Sequence, residues 1–123
     1  PSTLPVILRA LRAKEAVGFV MDQYAGPPIG ILVPFFGVQV GTLAAVGTLA
    51  GRTGAVVLPV RTYRDERGVV HVCIEQPFTQ VESDKQTTAI LAARVEAWVR
   101  QTPDQWLWIH RRFKNVVWPA KLL

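Results

Sequence analysis

A chain of 123 residues, half of them hydrophobic and four of them tryptophan, is long enough for one core and too apolar for a disordered segment. Its net charge of +5 favours anionic partners such as phosphates, phospholipid headgroups or an acidic protein. The single cysteine, Cys73, excludes an intrachain disulfide and a cysteine-based metal cage, and the lack of an Arg- and Lys-dense helix with interleaved exposed aromatics argues against nucleic acid.

In chain order, Ser2 or Thr3 is placed to cap a helix whose apolar positions Leu4, Ile7, Leu8 and Leu11 share one face, ending near Lys14. Ala16 to Met21 is a short apolar run that reads as a buried strand. It carries Asp22 to its C-terminal end, where ligands bind in α/β sheets. No residue from Gln23 to Gly51 is charged, yet its glycines and prolines interrupt any continuous helix before Thr42, so the stretch reads as buried core rather than a membrane span. Leu32 to Val40 reads as extended, and Thr42 is expected to cap a small-residue helix that runs to Arg52 and is closed by Gly54.

Ala55 to Tyr63 reads as a strand in which Pro59 removes one ladder donor; Arg61 and Arg64 at its far end are candidates for binding phosphate or a carrier protein. Arg64 to Gly68 is a polar turn, after which Val69 to Gln76 pairs back. Alternation predicts Val70, Val72 and Ile74 toward the core and His71, Cys73 and Glu75 on a polar outer face. The second set would point in parallel rather than converge, which disfavours a nucleophile–base set or a metal site. Ser83 and Gln86 form a capping box for a helix to Arg100, with Leu91, Val95 and Trp98 inside. Thr102, Pro103 and Gln105 predict the start of a last helix through Lys114, with Trp106, Ile109 and Phe113 as its apolar stripe, so that Ile109→Ala should lower stability. His110 reads as a buried, hydrogen-bonded residue.

The order of elements predicts an α/β class with a mixed sheet flanked by helices. Three strands are few for such a sheet, and the chain reads as part of a larger fold. Asp22, a carboxylate at a strand end, is the best single candidate for function.

The segment from Asp104 to Lys114 (Asp-Gln-Trp-Leu-Trp-Ile-His-Arg-Arg-Phe-Lys) resembles the C-terminal signature of the late acyltransferases of lipid A biosynthesis, the lauroyl and myristoyl type. The similarity runs along nearly all of the chain. Asp22 and Gly26 match the family's acidic residue and following glycine, with Met21 in place of the usual proline. Val33-Pro34-Phe35-Phe36-Gly37 is similar to its Pro-Phe-Phe-Gly segment, and Val57-Leu58-Pro59-Val60 to its proline-containing strand. A second acidic residue that the family often carries is Tyr24 here, so any shared carboxylate role falls on Asp22 alone.

The resemblance implies a glycerolipid-acyltransferase-like fold, with residues 1–123 as the C-terminal part of a single acyltransferase domain. It implies transfer of a fatty acyl chain from acyl carrier protein to a hydroxyl of a lipid A precursor, at the cytoplasmic face of the inner membrane, with no cofactor and no metal. The parent protein would meet the membrane surface, while this chain holds no membrane span. Substrate contacts are expected at Asp22, Arg61 and Arg64. In this family the base is a histidine with an acid five residues later, whereas His71 is followed at that offset by Gln76 and His110 by Asn115. The catalytic residues are therefore expected upstream of Pro1, and the chain alone is expected to be inactive. The alternative is a non-catalytic basic module that binds anionic lipid or an acidic protein.

Overall fold

A computed structural model describes residues 3–78 and 83–120. In chain order it contains α1 (Thr3–Arg12), β1 (Gly30–Phe35), β2 (Val38–Leu43), α2 (Ala45–Thr53), β3 (Val60–Arg64), β4 (Val70–Ile74), α3 (Asp84–Gln101) and a short 3-10 turn at Pro103–Gln105. Helices and strands alternate as expected of the α/β class. The expected mixed sheet is replaced by two separate two-stranded antiparallel sheets, β1–β2 and β3–β4.

The first hairpin corrects the reading of Leu32 to Val40 as one extended piece. Phe36 and Gly37 both adopt left-handed backbone (φ 49° and 78°), the conformation of a two-residue turn matched to strand twist. The chain therefore folds back on itself, pairing Phe35 with Val38 and Gly30 with Leu43. Phe36 is held in this unusual conformation by its amide, which donates to Glu96 Oε2 at 2.6 Å, and by the Arg100 guanidinium over its ring at 4.6 Å. Thr42 consequently lies within β2 instead of capping a helix, and α2 starts at Ala45 after an Ala44 cap with no side-chain hydrogen bond. Gly54 closes α2 in left-handed backbone as predicted, its amide bonding to the Ala50 carbonyl.

The core lies between this hairpin and α3. Period-two alternation puts Val33, Phe35, Val38 and Val40 on one face, and helical spacing puts Ala92, Val95 and Val99 opposite them. Ser83 caps α3 as predicted, its side chain accepting from the Gln86 amide at 3.2 Å. Trp98, Trp106 and Phe113 close the edges of this layer, with Trp106 and Phe113 each 5.8 Å from the Phe35 ring.

Three further expectations change. Ala16 to Met21 forms no strand: among the described residues it has no ladder partner, and Val20 is exposed. The predicted strand from Ala55 becomes regular only at Val60, preceded by an isolated bridge between Val57 and Phe78. The β3–β4 hairpin also turns its faces the other way, with Val72 and Ile74 64% and 67% exposed and His71, Cys73 and Glu75 half-buried. Partners on α3 decide this orientation, because the Glu75 carboxylate accepts from Trp98 Nε1 at 2.7 Å and pairs with Arg94. A carboxylate facing those donors holds the polar face inward.

The last predicted helix stops after Pro103–Gln105, and Trp106 is already extended. Gln105 does not close a capping box. Its side chain both accepts from the Arg64 amide (2.7 Å) and donates to the Arg64 carbonyl (2.8 Å), clamping the end of β3. The residues that follow take a series of turns that put Trp106 and Phe113 on the core and Ile109 in solvent, 87% exposed. The stability expectation for Ile109 is therefore overturned. In equilibrium denaturation, Phe35→Ala should cost about 3–5 kcal/mol as a fully buried aromatic, whereas Ile109→Ala should stay within about 0.5 kcal/mol of the parent.

Candidate functional site

Residues 14–22, the segment leading into β3 and the inner side of α3 enclose a cleft of about 950 Å³. Met21, Asp22, Val57, Arg61, Trp98 and Trp106 are among its walls. The structure thus brings two of the three sequence-predicted site residues, Asp22 and Arg61, to one cavity, and Arg64 is not part of the lining. Arg61 Nη1 donates to Gln101 Oε1 at 2.6 Å and its guanidinium lies over Tyr63. Arg64 Nη1 is turned away to the Gly68 carbonyl of its own hairpin, at 2.7 Å.

Asp22 is half-buried and is followed by a loop laid tightly on the first hairpin. The Ala25 amide donates to the Gly41 carbonyl at 3.1 Å, and a Cβ on Gly30 would meet the Ala25 carbonyl oxygen at 1.8 Å. Only glycine allows so close an approach of two backbones. The feature that sequence reasoning missed lies beneath this loop. Arg112, 0% exposed, donates from Nη1 to the carbonyls of Gln23 (2.5 Å) and Gly41 (2.8 Å), and from Nη2 to Thr42 Oγ1 (2.7 Å). Its guanidinium stacks over Phe35, while Nε is buried without a partner among the described residues. Burial lowers the Arg112 pKa to about 10, opposed by the nearby Asp22 carboxylate, so the group stays charged at neutral pH. Bonds from a charged donor are each worth about 1.5–3 kcal/mol, and one of the three ties the Gln23 carbonyl of the loop to the guanidinium. Two adjacent arginines gave no sequence signal as to which one goes inside.

The two histidines are employed elsewhere. His71 Nε2 sits 2.8 Å from Asp65 Oδ2, a hydrogen-bonded pair outside the cleft lining, and the imidazole stacks on Tyr63. The bond to His71 is the largest cause holding the Asp65 carboxyl below its usual range. His110, expected to be hydrogen-bonded, keeps a buried Nδ1 with no partner among the described residues.

A model of the family described as bacterial lipid A biosynthesis acyltransferase matches residues 2–115. The chain belongs to that family. It is 31% identical over 113 residues to the lipid A biosynthesis lauroyltransferase of Escherichia coli (strain K12), and 33% identical over 112 residues to the lipid A biosynthesis palmitoleoyltransferase of the same strain. A lipid A biosynthesis acyltransferase of Haemophilus influenzae (strain ATCC 51907 / DSM 11121 / KW20 / Rd) is 26% identical over 115 residues. Each of these alignments covers 89% of this chain and 37% of the relative, so the chain spans well under half the length of these acyltransferases.

Within this family member, Glu75 provides a pH-dependent link between the second hairpin and α3. The Trp98 indole N–H is the largest of the causes that lower its pKa from the ordinary 4.5; burial opposes it, and Arg94 adds to the lowering. A depressed carboxylate pKa stabilises the fold fully above the unfolded value and loses that contribution as pH falls through the folded one. The Trp98-dependent part of the emission, wild type minus Trp98→Phe, should titrate with a midpoint below 4.5, and the transition should vanish in Glu75→Gln.

Proposed function

We propose that the protein carrying this chain transfers a fatty acyl group from acyl carrier protein to a hydroxyl of a lipid A precursor, at the cytoplasmic face of the inner membrane. The observation that carries this reading is the family match over residues 2–115, in a chain whose Asp22 opens onto a large cleft. The reaction forms an ester C–O bond and breaks the thioester C–S bond. A base takes the proton from the acceptor hydroxyl and returns it to the departing thiolate.

Within this reading, residues 1–123 form the C-terminal part of a single acyltransferase domain with a glycerolipid-acyltransferase-like fold, and they contribute substrate contacts rather than the base. Neither histidine has an acid five residues later, and His71, which is not part of the cleft lining, is already paired with Asp65. The His–acid pair is assigned to a segment preceding this chain. Asp22 can accept a hydrogen bond from a sugar hydroxyl or hold a cation, and Arg61 can face an acceptor phosphate. Arg64, tied to its own turn, supports the reading least. Exposed Leu107, Trp108, Ile109, Val117 and Trp118 lie among the exposed cations Arg111 and Lys114, a combination suited to an anionic membrane surface. No helix among the described residues is long and apolar enough to cross a membrane.

In the intact protein, Asp22→Asn should lower kcat about a hundredfold while leaving the melting temperature within a few degrees, and Arg61→Gln should raise KM for a phosphorylated acceptor about tenfold. Wild-type turnover by Asp22→Asn would remove Asp22 from the site. Residues 1–123 alone should show no acyl transfer; detectable transfer would overturn the placement of the base outside them.

The same apolar and cationic surface favours a second reading, a non-catalytic basic module for anionic lipid. Salt-sensitive binding of the intact protein to anionic vesicles, unchanged by Asp22→Asn and accompanied by no turnover, would select it.

A further inference from the structure

From the geometry beneath the cleft we infer that Arg112 is a positioning residue for Asp22, acting through the backbone of the loop that begins there. The inference rests on the proposed role of Asp22 and adds the device that holds this carboxylate in place.

The contacts are directional. Nη1 of Arg112 reaches the carbonyl of Gln23, the residue directly after Asp22, and also the carbonyl of Gly41, which accepts the Ala25 amide as well. One nitrogen therefore joins the start of the loop to the strand on which the loop lies. Nη2 anchors the guanidinium to Thr42, and the Phe35 ring closes its other side, so the planar group has little freedom to tilt. The neighbours of Arg112 grip the same loop. Lys114 Nζ lies 5.8 Å from the Tyr24 ring centroid, and Asn115 Nδ2 donates to the Tyr24 hydroxyl at 3.3 Å. Contacts from 112, 114 and 115 thus converge on residues 23 and 24, directly after Asp22, which is itself part of the cleft lining. A lysine keeps the charge but lacks the fork that bridges Gln23, Gly41 and Thr42.

The test is a double-mutant cycle in the intact protein, comparing wild type, Asp22→Asn, Arg112→Lys and the double variant for kcat in acyl transfer, with hydrogen exchange at the Ala25 and Gly30 amides followed in parallel. Val38→Ala, a buried substitution in β2 away from the loop, supplies the comparison for a variant that only lowers stability. Arg112→Lys should lose about tenfold in kcat and speed exchange at both amides about tenfold, yet cost less than about twofold once Asp22 is already asparagine. Val38→Ala should have the same effect in both backgrounds. A loss from Arg112→Lys that is equal in the two backgrounds, or faster loop exchange with wild-type kcat, would overturn the inference. If Asp22→Asn keeps wild-type turnover, the role of Asp22 fails first and the inference goes with it, an outcome distinct from an impaired Asp22→Asn with additive losses. Should Arg112→Lys not accumulate, Thr42→Val releases one bond of the same guanidinium and enters the same cycle. A loss of about threefold confined to the Asp22 background supports the inference, and no loss or an equal loss in both backgrounds rejects it.

Discussion

The fold depends on a charge placed where charges are expensive. Arg112 is fully buried, and a guanidinium is tolerated there only because oxygens surround it: two carbonyls and a hydroxyl, with an aromatic face beneath. Those oxygens come from the loop after Asp22 and from β2, and the guanidinium comes from the end of the chain. The three segments therefore have to be correctly placed together. The β1–β2 hairpin supplies the platform, α3 buries the platform's apolar face, and the turns after Trp106 deliver the guanidinium. Each of these layers can be traced to a local cause: the left-handed Phe36–Gly37 pair, the Ser83 cap, and the clamp of Gln105 on Arg64.

The cleft follows from that arrangement. Its walls include α2 and α3, together with Asp22 and Arg61, which come from segments separated by two strands and a helix. Under the proposed function, this carboxylate and this cation on one apolar cavity are the groups that would meet the acceptor. The pair of His71 with Asp65 has the composition of a catalytic couple, but it joins a turn to a strand of its own hairpin.

What could be read from sequence follows the range of the forces involved. Ser83, Gly54 and the apolar spacing of α3 act within a few residues, and each was legible. Alternation in β4 identified two faces correctly but assigned them the wrong way round. The deciding contacts, Glu75 with Trp98 and Arg94, join residues 19 and 23 positions apart, which a pattern of two cannot report. The last helix failed for a similar reason, since Gln105 found a backbone partner 41 residues away that outcompeted its local cap. Asp22 was visible as a polar residue ending an apolar run. Its support from Arg112 was not, because nothing within Arg111-Arg112 distinguishes a solvated arginine from a buried one.

The bond from Arg112 to the Gln23 carbonyl spans 89 positions, which makes it a statement about timing as well as place. Contacts of such long range close late, after the local hairpin and helices have formed. During synthesis from the N-terminus, the segment with Asp22 emerges first and Arg112 among the last residues of this chain. The loop bearing the candidate carboxylate can thus take its final shape only after Arg112 has been synthesised, and a chain that ends before it retains the local signals for its hairpins and α3 but lacks the bond that ties this loop to β2.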